Sequence, residues 1–301
     1  MEIICNAHTS FIFARRTIQI EMSIYLREVS IVEVLSSVNI PKRNEETHKG
    51  DYGKILLIGG NVNLGGAIML AARACVFSGS GLITVATHPT NHAALHSRCP
   101  EAMVIDINDT KMLTKMIEHT DCILIGPGLG CDFKGNNAIT FLLQNIQPHQ
   151  TLIVDGDAIT IFSKLKPDIP SCNVIFTPHP KEWERLSNIP VDEQTYERNR
   201  EAVDQLGSTV ILKKHGTEIY FKNSDYKLPI GTPAMATGGM GDTLAGMITS
   251  FIGQFDNFEE AVTSATYTHS YIGEELSSSM YVVPPSRLIN EIPYVMKSLE
   301  S

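Results

Sequence analysis

The sequence predicts an α/β protein built on a doubly wound, mostly parallel sheet flanked by helices. Two observations carry that expectation. Short β-branched apolar runs alternate with segments of helical period, the pattern of a parallel sheet wound through crossover helices. Most of those runs are also apolar on both faces, as in a sheet covered from both sides.

In chain order the strand runs are KILLIG (54–59), LITVAT (82–87), AMVID (102–106), CILIG (122–126), TLIVD (151–155), NVIFT (173–177) and TVILK (209–213). None has Pro inside it, and they end near Gly, Asp or Pro. GAIMLAARACVFSGSG (66–81) and NAITFLLQNI (137–146) are helix candidates between them. The last part of the chain is expected to be helical, in GDTLAGMITSFIGQ, FEEAVTSATYTHSYIGEEL and PPSRLINEIPYVMKSLE. No composition break, internal repeat or low-complexity tract divides the chain. Residues 22–301 are therefore expected to form a single catalytic domain. Residues 1–21 are read as an N-terminal extension: Arg15, Arg16 and Glu21 interrupt its apolar stretch, and it lacks the pattern of a secretory signal.

Composition excludes several classes of function. A formal charge of −9 with no long basic run argues against nucleic-acid binding through phosphate neutralisation. No apolar run reaches the roughly 18 residues of a membrane span. The six cysteines are scattered, without a C-x-x-C pair, which weakens zinc and dithiol readings and fits a reduced, cytoplasmic chain. His88, His92 and His96 are spaced i, i+4, i+8 and would share a helix face. No H-E-x-x-H arrangement accompanies them, and no metal site is expected there.

The chemistry concentrates at strand ends, where ligands sit in such sheets. IGPGLG places Gly126, Gly128 and Gly130 after one strand, VDGDAI places Asp155 and Asp157 after the next, TPHPKE places His179 after a third, and LKKHGT follows a fourth. Each alone reads as a turn or a hydrogen-bonded loop; four together point to a pocket. GGNVNLGGAIMLA is a further Gly-rich turn, but its spacing fits neither G-x-G-x-x-G nor a Walker loop. In ATGGMGDTLAGMI the apolar residues Leu244, Met247, Ile248, Phe251 and Ile252 follow a helical period, so the glycines sit at a helix N-terminus. Unpaired N–H groups and the helix dipole there attract an anion. Asp242 beside them has two readings. It is either the helix N-cap, a role worth about 1 kcal/mol, or a general base that takes a proton from a hydroxyl attacking a bound phosphoryl group. A cap does not require GG-x-G before it, so the base reading is preferred.

HKGDYG, GGAIMLAA, IGPGLG, VDGDAI, TPHPKE, LKKHGT and ATGGMGDTLAGMI stand in this order from about residue 48 to Tyr271. This set resembles the ADP-dependent (S)-NAD(P)H-hydrate dehydratases of the ribokinase-like superfamily. The resemblance implies a ribokinase-like fold and repair of NADH or NADPH hydrated at C6 of the nicotinamide ring. ADP would phosphorylate the 6-hydroxyl with Mg2+ assisting, phosphate would leave, and AMP and phosphate would be the by-products. It further implies that Asp242 is the base and that Gly239, Met240 and Gly241 hold the transferring phosphoryl group through their N–H groups. Lys213, Lys214, His215, Gly216, Thr217 and Gly241 would contact the nucleotide, and Ala67, Gly128, His179 and Asp242 the hydrated cofactor. A homotetramer is the family's expected assembly. Lys214 and Lys181 depart from the family, which often has Gly at both places. The competing readings are a ribokinase-like kinase of a small vitamin precursor, which would use ATP and keep the phosphate on its product, and a nucleotide sensor without turnover.

Overall fold

The computed structural model describes residues 32–301; the expected extension, residues 1–21, lies outside the described residues. The seven expected runs all form strands: β2 (Lys54–Ile58), β3 (Leu82–Thr87), β4 (Met103–Asp106), β5 (Cys122–Ile125), β6 (Thr151–Val154), β7 (Asn173–Phe176) and β8 (Thr209–Leu212). With β1 (Glu33–Val34), β9 (Glu218–Tyr220) and β10 (Asp225–Lys227) they make one sheet in the order β1-β10-β9-β8-β7-β6-β5-β2-β3-β4. From β8 to β4 every pairing is parallel. β2 lies inside, with Ile55 in register with both Ile83 and Cys122.

The helices are α1 (Gly65–Phe77), α2 (His92–Arg98), α3 (Thr110–Glu118), α4 (Phe133–Asn145), α5 (Asp157–Leu165), α6 (Pro180–Ser187), α7 (Tyr196–Leu206), α8 (Met240–Ile252), α9 (Phe258–Ser277) and α10 (Pro285–Ser298). They cover both faces, because successive strand residues point to opposite sides. Ile55 and Leu57 join one core with α1, α8, α9 and α10, whereas Leu56 and Ile58 join the other with residues of α3 to α7. A doubly wound sheet with two cores is thus built from strands that are apolar throughout. α8 lies close on α1: a Cβ added at Gly246 would stand 2.4 Å from the Ala71 carbonyl oxygen.

The sheet continues past residue 213, in a stretch before the expected C-terminal helices where no strand was expected. β9 pairs antiparallel with β8, and β10 with β9. These strands have three residues each, too few to display a period. Polar contacts hold them instead. Asp225 accepts from Arg200 Nη1 at 2.6 Å and from the Tyr196 hydroxyl at 2.6 Å, and Glu218 accepts from the Tyr220 hydroxyl at 2.6 Å.

Candidate active site

The flagged loops lie side by side, because β8, β7, β6, β5 and β2 are consecutive neighbours and all present their carboxyl ends at one edge. After β5 the chain turns back tightly over the start of α1. Gly128 has φ 59°, and a Cβ there would meet the Leu64 carbonyl oxygen at 2.3 Å and the Ala67 Cβ at 3.1 Å. Glycine alone permits that approach, and it brings the two expected substrate contacts Gly128 and Ala67 together.

After β6, Asp155 is buried. Its Oδ1 accepts from Lys213 Nζ at 2.7 Å and from Thr177 Oγ1 at 2.6 Å. The strand ends of β6, β7 and β8 are thereby tied by one carboxylate. Asp157, at the start of α5, accepts from the Gly130 N–H at 2.8 Å. The Asp155, Glu182 and Asp242 carboxylates around Lys213 favour its charged form and outweigh its burial, so its pKa is raised. Its ammonium also borders α8, since a Cβ at Gly241 would lie 3.1 Å from Nζ.

α8 begins at Gly239, whose φ of 92° makes it the N-cap; Asp242 is the third helical residue. The cap reading of Asp242 is therefore corrected. A left-handed backbone turn, which glycine adopts without a Cβ clash, starts this helix. Of the amides expected to hold a phosphoryl group, the Met240 N–H is directed to the Thr237 carbonyl at 3.5 Å. The N–H groups at the second and third positions, those of Gly241 and Asp242, are left to a ligand by the helix geometry. Burial, then the charge of Asp155, pushes the Asp242 carboxyl from its ordinary 3.8 up to about 6, against the opposing pull of Lys213. A carboxyl poised there is ionised near neutrality and still basic enough to accept a proton.

His179 caps α6. Its Nδ1 accepts from the Lys181 and Glu182 N–H groups at 3.1 and 3.3 Å, and Glu182 accepts from the His179 N–H at 2.8 Å. Burial, together with Lys213 and Arg185, lowers its pKa, so the ring is neutral at neutral pH, with Nε2 3.5 Å from Glu182 Oε1. The β8–β9 turn carries Lys213 to Thr217. Lys214 pairs with Glu218 at 2.8 Å, His215 is exposed, Gly216 has φ 69°, and Thr217 Oγ1 donates to the Lys214 carbonyl at 3.1 Å. Lys181 pairs with Glu184 at 2.5 Å on the outside of α6.

Two groups had no assigned role in the sequence. Asp155 is marked there only by its strand-end position. His269 of α9 carries no local signal. It is buried, hydrogen-bonds the backbone of Met240, and is pushed by burial down to about 4. It thus stands as a neutral group under the first turn of α8. Of the three spaced histidines, His88 lies outside the helix. It precedes α2 and accepts from the Thr90 N–H, because Pro89 opens a 3-10 turn before α2 starts. Among the described residues, no three His, Cys, Asp or Glu converge as a protein-only metal cage, and no helix is long and apolar enough to cross a membrane. A cavity of about 770 Å³ lies at the opposite end of the strands, beside Arg43, Tyr52 and Gln254, remote from this chemistry.

Comparison with known proteins shows the family and the fold. The NAD(P)H-hydrate dehydratase family matches residues 55–294. The ADP-dependent (S)-NAD(P)H-hydrate dehydratase of Staphylococcus aureus is 84% identical over 270 residues, 90% of this chain and 98% of that protein. Among solved structures, a ribokinase-like superfamily protein of Enterococcus faecalis superposes with a TM-score of 0.85 at 43% identity, covering 87% of this chain and 93% of that one. The ADP/ATP-dependent NAD(P)H-hydrate dehydratase of Bacillus subtilis, co-crystallised with ATP and Mg2+, gives 0.79 at 30% identity, covering 87% and 95%. Fold and site define a ribokinase-like, nucleotide-dependent enzyme. More particularly, the chain belongs to the NAD(P)H-hydrate dehydratase family.

Proposed function

We propose that this enzyme restores NADH and NADPH from their (S)-6-hydrates at the expense of a nucleotide, with Asp242 as general base. The observation that carries this reading is the Asp242 carboxyl, raised to about 6, beside a free helix N-terminus and the Lys213 ammonium. Hydroxide is a poor leaving group, so the 6-hydroxyl must be activated. Asp242 takes the hydroxyl proton as the oxygen attacks the terminal phosphorus of ADP, and AMP leaves. The Gly241 and Asp242 amides, with Gly239 and Met240 shaping the turn, face the charge that builds on the transferring group, where preorganised donors contribute most. Lys213 offsets that charge. The ring nitrogen lone pair then expels phosphate, and loss of the C5 proton to water restores the dihydropyridine.

The nucleotide is assigned to the Lys213–Thr217 turn and Gly241, and the hydrated ring to Ala67, Gly128, His179 and Asp242. Mg2+ takes oxygen donors and is commonly held by one or two carboxylates plus phosphates; Asp155 and Asp157 would supply those carboxylates. Bound there, it would neutralise phosphate charge. Exposed Tyr281 and Tyr294 near α10, 98% and 73% accessible, support a homo-oligomer, for which a tetramer is the expected form. The free thiols of Cys75, Cys99 and Cys122 support a reducing, cytoplasmic setting. The test is to incubate the protein with hydrated NADH, Mg2+ and either ADP or ATP while following the NADH absorbance band. Recovery of the band with AMP and phosphate release is expected from ADP. A stable phosphorylated product would instead identify a kinase.

A further inference from the structure

A second cavity, of about 270 Å³, opens on the same edge of the sheet, past Gly128 and between α3 and α4. Sheet order makes the edge a line: Lys213 at β8, Asp155 at β6, Gly128 after β5, then this cavity at the ends of β2, β3 and β4. The cavity and the ring site share a wall. The Gly60 N–H donates to the Pro127 carbonyl at 2.8 Å, and the Asn61 N–H to the Gly128 carbonyl at 2.7 Å. Its floor is apolar, with Leu113, Leu129 and Phe141, and its rim carries the amides of Asn61, Asn108 and Asn137.

Charge sharpens the picture. In a chain of formal charge −9, no carboxylate lines this cavity, while Lys134 does. Lys134 is exposed and makes no salt bridge among the described residues. An apolar slot rimmed by amides, with one free ammonium, suits a flat heteroaromatic base attached to a phosphorylated ribose. It does not suit a cation.

We propose that this cavity receives the adenosine half of the hydrated dinucleotide, resting on the dehydratase reading above. The nicotinamide end then lies over Gly128 toward Asp242, and the purine enters between α3 and α4. Binding energy from this remote half positions the reacting ring. Lys134, on that lining, would attract a 2′-phosphate and so favours the NADPH hydrate.

The test compares 6-hydrated NADH with 6-hydrated reduced nicotinamide mononucleotide, which lacks the adenosine. Asn137→Trp blocks the mouth from an exposed position on α4, and Ala138→Leu fills the floor; a melting curve checks that each folds. For both variants kcat/KM on the dinucleotide should fall at least tenfold through KM, while the mononucleotide stays within twofold of wild type. Lys134→Ala should raise KM for the NADPH hydrate several-fold more than for the NADH hydrate. Equal losses on dinucleotide and mononucleotide, or no loss on either, would overturn the subsite alone. A wild-type protein inert on both hydrates would overturn the dehydratase reading and this inference with it.

Discussion

Asp242 is a half-buried charge that the fold tolerates only in part. Its carboxyl titrates at about 6 instead of 3.8, so the folded protein holds that proton more tightly than the unfolded chain. The sign follows. The residue destabilises nothing below about pH 4, and its cost grows as pH rises through about 6. Asn is neutral throughout and nearly isosteric. Asp242→Asn should therefore melt at or above wild type at pH 8, with the margin vanishing toward pH 4. Its turnover should fall roughly 10²- to 10⁴-fold, the usual contribution of a general base. Turnover within a few-fold of wild type would refute the base. For wild type, kcat/KM should drop tenfold per pH unit below about 6, because only the carboxylate accepts the proton. A flat profile from pH 5 to 8 would contradict that assignment. At this scale the sequence singled out positions that the fold brings to one edge, Asp242 at a helix start and Lys213 and His179 after strands. It was silent on His269, since a histidine inside a helix acquires meaning only from what packs against it.

At the scale of elements, the site depends on where α8 is held. Gly246 meets the Ala71 carbonyl so closely that a Cβ would stand 2.4 Å from it, and Cys75 Sγ lies 3.1 Å from the Gly246 carbonyl. α1 and α8 are thus fixed backbone to backbone, and α1 also carries Ala67. Gly246→Ala should push the helices apart and cost about 1–3 kcal/mol, as overpacking does. Because α8 carries Asp242 at its start, activity should fall in step with stability. A chemical-denaturation midpoint equal to wild type would show that the helices have room to spare. The parallel strands were legible because full burial makes them continuously apolar. β9 and β10 were not, because a hairpin of three-residue strands takes its stability from contacts distant in sequence, such as Arg200 to Asp225 at 2.6 Å. The N-cap of α8 was open in the sequence, where a cap was the less favoured of two readings of Asp242. Asp is a common cap, but the left-handed turn at Gly239 moves the helix start three residues earlier.

The whole molecule brings carboxylates to one edge in excess of cations: Asp155, Glu182 and Asp242 act on the Lys213 ammonium, and Asp157 acts on Asp242. A nucleotide with Mg2+ supplies what that edge lacks, so folding and binding should be strongly linked. None of the strand runs or motifs lies before Met22, and a chain starting there should match the full-length protein in melting and turnover. A loss of several degrees would assign those residues a role. The linkage itself is the sharper test. A ligand that binds only the folded state at about 100 times its dissociation constant adds roughly 2.7 kcal/mol. With an unfolding entropy near 2.1 cal/mol/K per residue, a chain of this length should melt about 4 °C higher with saturating ADP and Mg2+. Gly241→Val should remove most of that shift. A Cβ there already stands 3.1 Å from Lys213 Nζ, so a branched side chain displaces the ammonium and occupies the phosphate's approach. Its melting without nucleotide should itself fall, because moving the ammonium disturbs the buried Lys213–Asp155 pair, so the nucleotide shift is read against the variant's own ligand-free melt. A Gly241→Val protein that keeps the full nucleotide shift would place the phosphates away from α8, and with them the proposed reaction centre.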